Sequence, residues 1–169
     1  MTPEDMVTID LEGNILEGRH NPTSEKEIHR QILVKRRDLG ACVHSHSAYA
    51  IAVCCSKYTE VPAMYEEMSQ LIGGSIPVTP VYVSGELHPE LGKICADTIG
   101  EKNAVLAKHH GPVSCGRTLQ EALVCMQVVE KACRVFLALA PQLGPEVIPD
   151  DLVASSRYWF VNKYGREKT

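Results

Sequence analysis

The sequence predicts an α/β fold in which helices cover a central sheet. Short β-rich runs at residues 41–46, 76–83 and 104–108 alternate with longer segments of helical spacing. Two Ser/Thr-x-x-Glu boxes, at Ser24 and Thr118, mark helix starts. Glycine and proline punctuation separates the runs.

Taken in chain order, Val7-Thr8-Ile9-Asp10-Leu11 and Ile15-Leu16-Glu17 flank Gly13-Asn14, the pattern of a hairpin. Residues 19–23 read as a loop. A helix is expected from Ser24, with Glu27 completing its box and Ile28 and Ile32 on one face. Lys35-Arg36-Arg37 suits the negative end of that helix. Ala41 to His46 reads as a buried strand and Ala48 to Cys55 as a helix. Gly73-Gly74 precedes a strand expected from Ile76 to Val83. The next helix runs from Pro89 to Ile99, proline fitting its first turn.

A strand follows at Ala104 to Lys108, then a turn around Gly111-Pro112 and a return strand ending near Gly116. Thr118-x-x-Glu121 opens the longest helix. There Leu119, Ala122, Leu123, Met126, Val129, Cys133, Phe136, Leu137 and Ala140 recur mostly at three- and four-residue steps. Pro141, Gly144, Pro145 and Pro149 interrupt the chain before a terminal helix from Asp150 toward Lys163. Without repeats or low-complexity segments, residues 1–169 read as one domain.

Composition narrows the function classes. Hydrophobic residues make up 44% and charged residues 22%, the balance of a globular protein. The net charge of −4 argues against a nucleic-acid or membrane-surface binder. No apolar run approaches the ~20 residues of a membrane span, and no secretory pattern opens the sequence. The seven cysteines have no Cys-x-x-Cys spacing and sit mostly in apolar segments. They read as small buried hydrophobes of a protein in a reducing cytoplasm.

His44-Ser45-His46 is the strongest chemical signal. Residues i and i+2 of a strand share a face, so the two imidazoles stand side by side. Two such groups need solvent or a shared cation between them, and a third histidine from a distant strand end would complete a three-histidine metal site. His109 and His110 both qualify as the third; spacing does not choose between them. A structural, hydrogen-bonded role competes with each of these assignments. Glu25 falls in the first turn of a helix, where the macrodipole favours a carboxylate. It reads either as a solvated helix-start acid or as a general acid/base beside the metal. Thr23 and Ser24 add hydroxyls to the free N–H groups there, which makes either a phosphate cradle or a simple cap.

Pro22-Thr23-Ser24-Glu25-x-x-x-His29, Val43-His44-Ser45-His46-Ser47 and Lys108-His109-His110-Gly111, in that order, resemble the class II aldolase/epimerase/adducin-head family. Within it the pattern is most like the L-fuculose-phosphate aldolase branch. The likeness extends over almost the whole chain, including Thr2-Pro3-Glu4-Asp5-Met6, the Gly13-Asn14 hairpin and Gly73-Gly74. It implies a three-layer α/β/α fold around a mostly antiparallel sheet. His44, His46 and His110 are then ligands of one Zn2+ per subunit, Glu25 is the catalytic acid/base, and Thr23 and Ser24 contact substrate phosphate. Tyr164, before Gly165, assists protonation from a neighbouring subunit of a homotetramer whose active sites lie between subunits.

The activity so implied is retro-aldol cleavage of a ketose 1-phosphate to dihydroxyacetone phosphate and a hydroxyaldehyde. A pentulose-phosphate 4-epimerase on the same scaffold is the alternative, and an inactive adducin-head-like module a third. Glu25, where epimerases of the family tend to carry Asp, and the absence of a His-Ala-Asp segment between Pro62 and Gly74 favour the aldolase. The resemblance also places the family's first helix, a Gly-Asn loop and a Thr-Pro-x-Gly segment before Thr2. It therefore implies an N-terminally shortened domain with half a phosphate pocket. Tyr65-Glu66 stands where the aldolases have His-Tyr.

Overall fold

A computed structural model describes residues 2–165 of the chain. After a turn of 3-10 helix at Pro3–Asp5, strands β1 (Thr8–Ile9) and β2 (Ile15–Glu17) form the expected hairpin. The Asp10 carboxylate closes it by accepting from the Asn14 backbone N–H at 2.7 Å and side-chain amide at 2.8 Å. Gly13 supplies the positive φ of 96° that the turn requires. Helix α1 (Lys26–Lys35) leads into β3 (Ala41–His44), and α2 (Ala48–Cys54) follows directly. Strands β4 (Glu60–Val61) and β5 (Ile76–Pro77) bracket a π-helical turn at Met68–Ile72. Then come α3 (His88–Thr98), β6 (Ala104–Ala107), β7 (Gly111–Gly116), α4 (Leu119–Leu139) and α5 (Asp150–Asn162).

The central sheet is antiparallel, in the order β3-β7-β6. One parallel bridge, Val78 to Leu106, adds the stretch after β5 to its far edge. Register places His44 opposite Val113 and Cys42 opposite Cys115. Both faces of the sheet are covered, so its strands are apolar throughout instead of alternating. Val105 and Ala107 of β6 join Ile28 and Ile32 of α1, Leu91 and Cys95 of α3 and the Ile99 that follows it in one core. Ala104 and Leu106 point the other way, into a core with Ala50 and Val53 of α2 and Cys125, Val129, Cys133 and Phe136 of α4. The outcome is a mixed α/β protein with antiparallel sheets and helices on both sides of them.

Several local expectations change. Helix α1 begins at Lys26, and Ser24 does not cap it. Glu27 is drawn instead to the guanidinium of Arg30, 2.6 Å away, a charge-assisted bond that outcompetes a backbone cap. The β5 ladder with β4 ends at Pro77, and Val78 and Thr79 still donate to the Thr59 and Leu106 carbonyls, both at 2.8 Å. Pro80, without an N–H, ends the run short of Val83. Val81 and Tyr82 beyond it are exposed. The turn after β6 falls at residues 108–110, and Gly111 and Pro112 already belong to β7. Leu119 and Leu123 of α4 face solvent, on a row beside the buried stripe through Ala122, Cys125, Val129 and Phe136. Of the cysteines, five are buried, Cys42 is half-buried and Cys55 exposed.

Candidate metal centre

Four side chains from three distant stretches meet at one end of the central sheet. His44 closes β3, and His46 lies in the extended link to α2. His110 ends the turn between β6 and β7, and Glu25 stands at the N-terminal boundary of α1. One potential ligand atom from each lies within 4.8 Å of all the others. The three imidazole centroids are mutually 5.0 Å apart and steeply inclined to one another. The Glu25 carboxylate is 2.7 Å from His110 Nε2, 3.3 Å from His44 Nε2 and 4.0 Å from His46 Nε2.

The proton positions bear on what this cluster could hold. His44 Nδ1 lies 2.9 Å from the Pro112 carbonyl, which can only accept, so Nδ1 carries the hydrogen. Nε2 of His44 then presents a lone pair to His46 Nε2 at 3.2 Å and to the carboxylate at 3.3 Å. Burial lowers the pKa of His44, holding it neutral, while the Glu25 charge partly opposes that shift. Electron-rich atoms facing one another at this range are stable around a cation. Three imidazoles and a carboxylate are a donor set suited to a divalent transition metal. The Pro112 carbonyl fixes the orientation of the His44 ring, as an outer partner does for a metal-binding histidine. His44 and His110 are well shielded, whereas 58% of the His46 side chain is exposed, so the centre opens to solvent on that side.

His110, not His109, turns into the cluster. His109 adopts a left-handed backbone with φ of 54°, is exposed, and sets its ring edge-on to Tyr82. Its N–H bonds the Cys54 carbonyl at 3.1 Å, and that of His110 the Ala107 carbonyl at 3.0 Å. This tight turn aims successive rings in opposite senses. Thr23 and Ser24 are exposed just ahead of Glu25, and the Thr23 hydroxyl accepts from the Glu25 N–H at 3.3 Å. Tyr164 is not brought to the cluster; it is exposed and packs on Trp159 and Phe160. Tyr65 faces the core side, its hydroxyl donating to the Val128 carbonyl at 2.9 Å.

Two contributors have no signal in the sequence. One is the Pro112 carbonyl. The other is Glu130 of α4, whose carboxylate accepts the N–H groups of Tyr49 and Ala50 at 3.0 and 2.9 Å. It thereby fixes the start of α2 just after His46. Both reach across the fold from positions that local spacing does not link. Size does not locate the chemistry either. A cavity of about 840 Å3 lies between the hairpin and α1, lined by Ile9, Leu11, Thr23, His29 and Leu33 among others, and none of the three clustered histidines borders it.

Known proteins resemble the chain in both sequence and fold. Residues 1–137 match the family model described as Class II Aldolase and Adducin N-terminal domain. L-ribulose-5-phosphate 4-epimerase UlaF of Salmonella paratyphi B is 28% identical over 174 residues, covering 98% of this chain and 75% of that protein. The 5-methylthioribulose-1-phosphate/5-deoxyribulose-1-phosphate aldolase of Rhodospirillum rubrum is 30% identical over 151 residues, covering 89% of this chain and 66% of the relative. Among solved structures, an L-fuculose 1-phosphate aldolase superposes with a TM-score of 0.87 at 25% identity. The match covers 95% of this chain and 74% of that one.

Proposed function

The chain belongs to the class II aldolase and adducin N-terminal domain family, and from that premise we propose that it is a zinc-dependent aldolase of ketose 1-phosphates. The contact of Glu25 with the imidazoles of His110 and His44 carries this reading. It sets a proton-transferring group against a three-histidine donor set with one solvent-facing side. His44, His46 and His110 would hold the ion. Bound there, Zn2+ supplies Lewis acidity toward the carbonyl and neighbouring hydroxyl oxygens of the substrate.

The chain's own residues do the rest. Glu25 is the N-cap just before α1, outside the regular turns of the helix, and would leave the histidines as substrate enters. It would then give or take the proton at the carbon where the C3–C4 bond breaks. Thr23 and Ser24, exposed beside the start of α1, would receive the phosphate, where the helix dipole favours an anion. Products are dihydroxyacetone phosphate and a hydroxyaldehyde. Tyr164 is exposed and packs on Trp159 and Phe160 of its own helical end, which supports a role in a neighbouring subunit's site within a homotetramer of single-domain cytoplasmic subunits.

A pentulose-phosphate 4-epimerase is the second reading, favoured by the identity to the ribulose-phosphate epimerase. Glu25 in place of Asp favours the aldolase. The zinc-loaded protein is to be incubated separately with L-fuculose 1-phosphate, 5-deoxyribulose 1-phosphate and L-ribulose 5-phosphate. Dihydroxyacetone phosphate from either 1-phosphate supports the aldolase. Xylulose 5-phosphate without cleavage of either 1-phosphate would replace it with the epimerase. No turnover by protein with full zinc would reject both.

A further inference from the structure

We propose that Cys42 and Cys115 form an oxidisable dithiol site, closed to a disulfide by hydrogen peroxide, across the strands that carry the metal centre. The two residues face one another in register on β3 and β7. The hydrogen-bond phase of the sheet decides how close they come. Cys115 donates its N–H away from β3, to the Asn103 carbonyl at 2.7 Å, and Ser45 donates to the Pro112 carbonyl at 3.3 Å. Counting back from that bond, Cys42 and Cys115 form a non-hydrogen-bonded pair, the kind whose Cα atoms approach to about 4.5 Å. That separation lies inside the range spanned by disulfides, roughly 4.4–6.8 Å.

Their sulfurs are already 3.2 Å apart. Bonding asks them to close by only about an ångström more, to the ~2.05 Å of a disulfide. No other two cysteine sulfurs are in such contact among the described residues. Cys42 is half-buried on the sheet's edge strand and Cys115 is fully buried, so an oxidant meets Cys42 first. The O–O bond of the peroxide breaks as one oxygen bonds the Cys42 sulfur, leaving a sulfenic acid and one water. The Cys115 sulfur then displaces the sulfenic oxygen. The S–S bond forms, a second water leaves, both thiol protons end in water, and the two thiols together lose two electrons.

The bridge would tie together two strands of the metal centre. Cys42 lies two residues before His44, and Cys115 is on the strand that begins directly after His110. The inference stands on sheet geometry and is independent of the proposed activity.

The test uses the full chain carrying Cys55→Ser, which removes the exposed thiol that would link separate chains. After treatment with hydrogen peroxide, remaining thiols are alkylated under denaturing conditions and peptides are mapped by mass spectrometry. The expected result is a monomer lighter by two hydrogens before alkylation. A peptide containing residue 42 should be joined to one containing residue 115, and a thiol reductant should reverse the link. Unfolding by urea should shift to higher concentration in the oxidised form, because the bridge restricts the unfolded chain. Cys42→Ser and Cys115→Ser should each abolish the link. Because the mapping is done on a chain that retains both cysteines, a variant that fails to fold leaves the test intact. Sulfinic acid on Cys42 with Cys115 still free, a bridge to any other cysteine, or two unreacted thiols would each overturn the proposal.

Discussion

Ligand atoms of three imidazoles and a carboxylate crowd within 4.8 Å at the end of the central sheet, a crowding that a shared cation would relieve. Removing one ring should therefore empty the site. His44→Ala and His110→Ala are expected to lower bound zinc from about one per chain to near zero by elemental analysis, since three protein donors are the minimum for such a centre. His109→Ala should keep full zinc, because that ring stands outside against Tyr82. Glu25→Gln preserves shape and removes the proton acceptor. Zinc should be retained while turnover falls on the order of 10²–10⁴-fold, the usual worth of a positioned acid/base. Retained turnover in the Gln variant would remove Glu25 from the chemistry.

At the scale of elements, the site depends on how closely the helices approach the sheet and one another. Gly92 of α3 lies against α1 so tightly that an added Cβ would come within 2.5 Å of the Glu27 carbonyl oxygen. Gly92→Ala should push apart the helix that presents Glu25, at a cost of about 1–3 kcal/mol by chemical denaturation. On the opposite face, Thr118 caps α4 by accepting the Glu121 N–H at 3.1 Å. The reciprocal arm of that box goes elsewhere. The Glu121 carboxylate takes the backbone N–H and Nε of Arg117, at 3.2 and 2.8 Å. Thr118→Ala should cost about 1 kcal/mol with zinc content unchanged, since the cap is remote from the histidines.

Across the whole molecule, acid sensitivity follows from carboxylates held in ion pairs, some local and some joining separate elements. Asp97 of α3 lies between Lys35 of α1 and Lys93, bonds that lower its pKa from 3.8 to about 2. The Arg36 guanidinium lowers Asp38, and the bond from Lys131 lowers Glu67. A carboxylate whose pKa is depressed on folding stabilises the folded state fully above its unfolded value. That contribution is lost as pH falls through the folded value. The melting temperature should begin to fall below about pH 6.5, where burial keeps the imidazoles of His29 and His44 from taking up the protons they bind when unfolded. It should fall more steeply from about pH 4.5 toward pH 2 as these carboxylates protonate. Asp97→Asn should flatten the lowest part of that decline, as read by thermal scans at stepped pH. Truncation in either of the two cores should be felt by the whole. Ile32→Ala, a fully buried site under α1, is expected to cost about 2–5 kcal/mol.

Legibility in the sequence followed the range of the interactions. The hairpin at Gly13-Asn14, the strand into His44 and the long helix after Thr118 rest on neighbours a few residues apart, and their patterns are visible in the linear chain. The His-x-His pair was legible for the same reason. Local competition was not. Glu27 left its capping box for Arg30, and the strand from Ile76 broke at proline. Motif order by itself, through family resemblance, pointed to Glu25 and His110. Only the tertiary structure decided that these four groups touch. The left-handed turn at His109 aims one ring in and the other out, and Pro112 sets the proton of His44. The sheet register likewise set Cys42 against Cys115. Residues separated by 68 or more positions meet in each case, and no local periodicity encodes that distance.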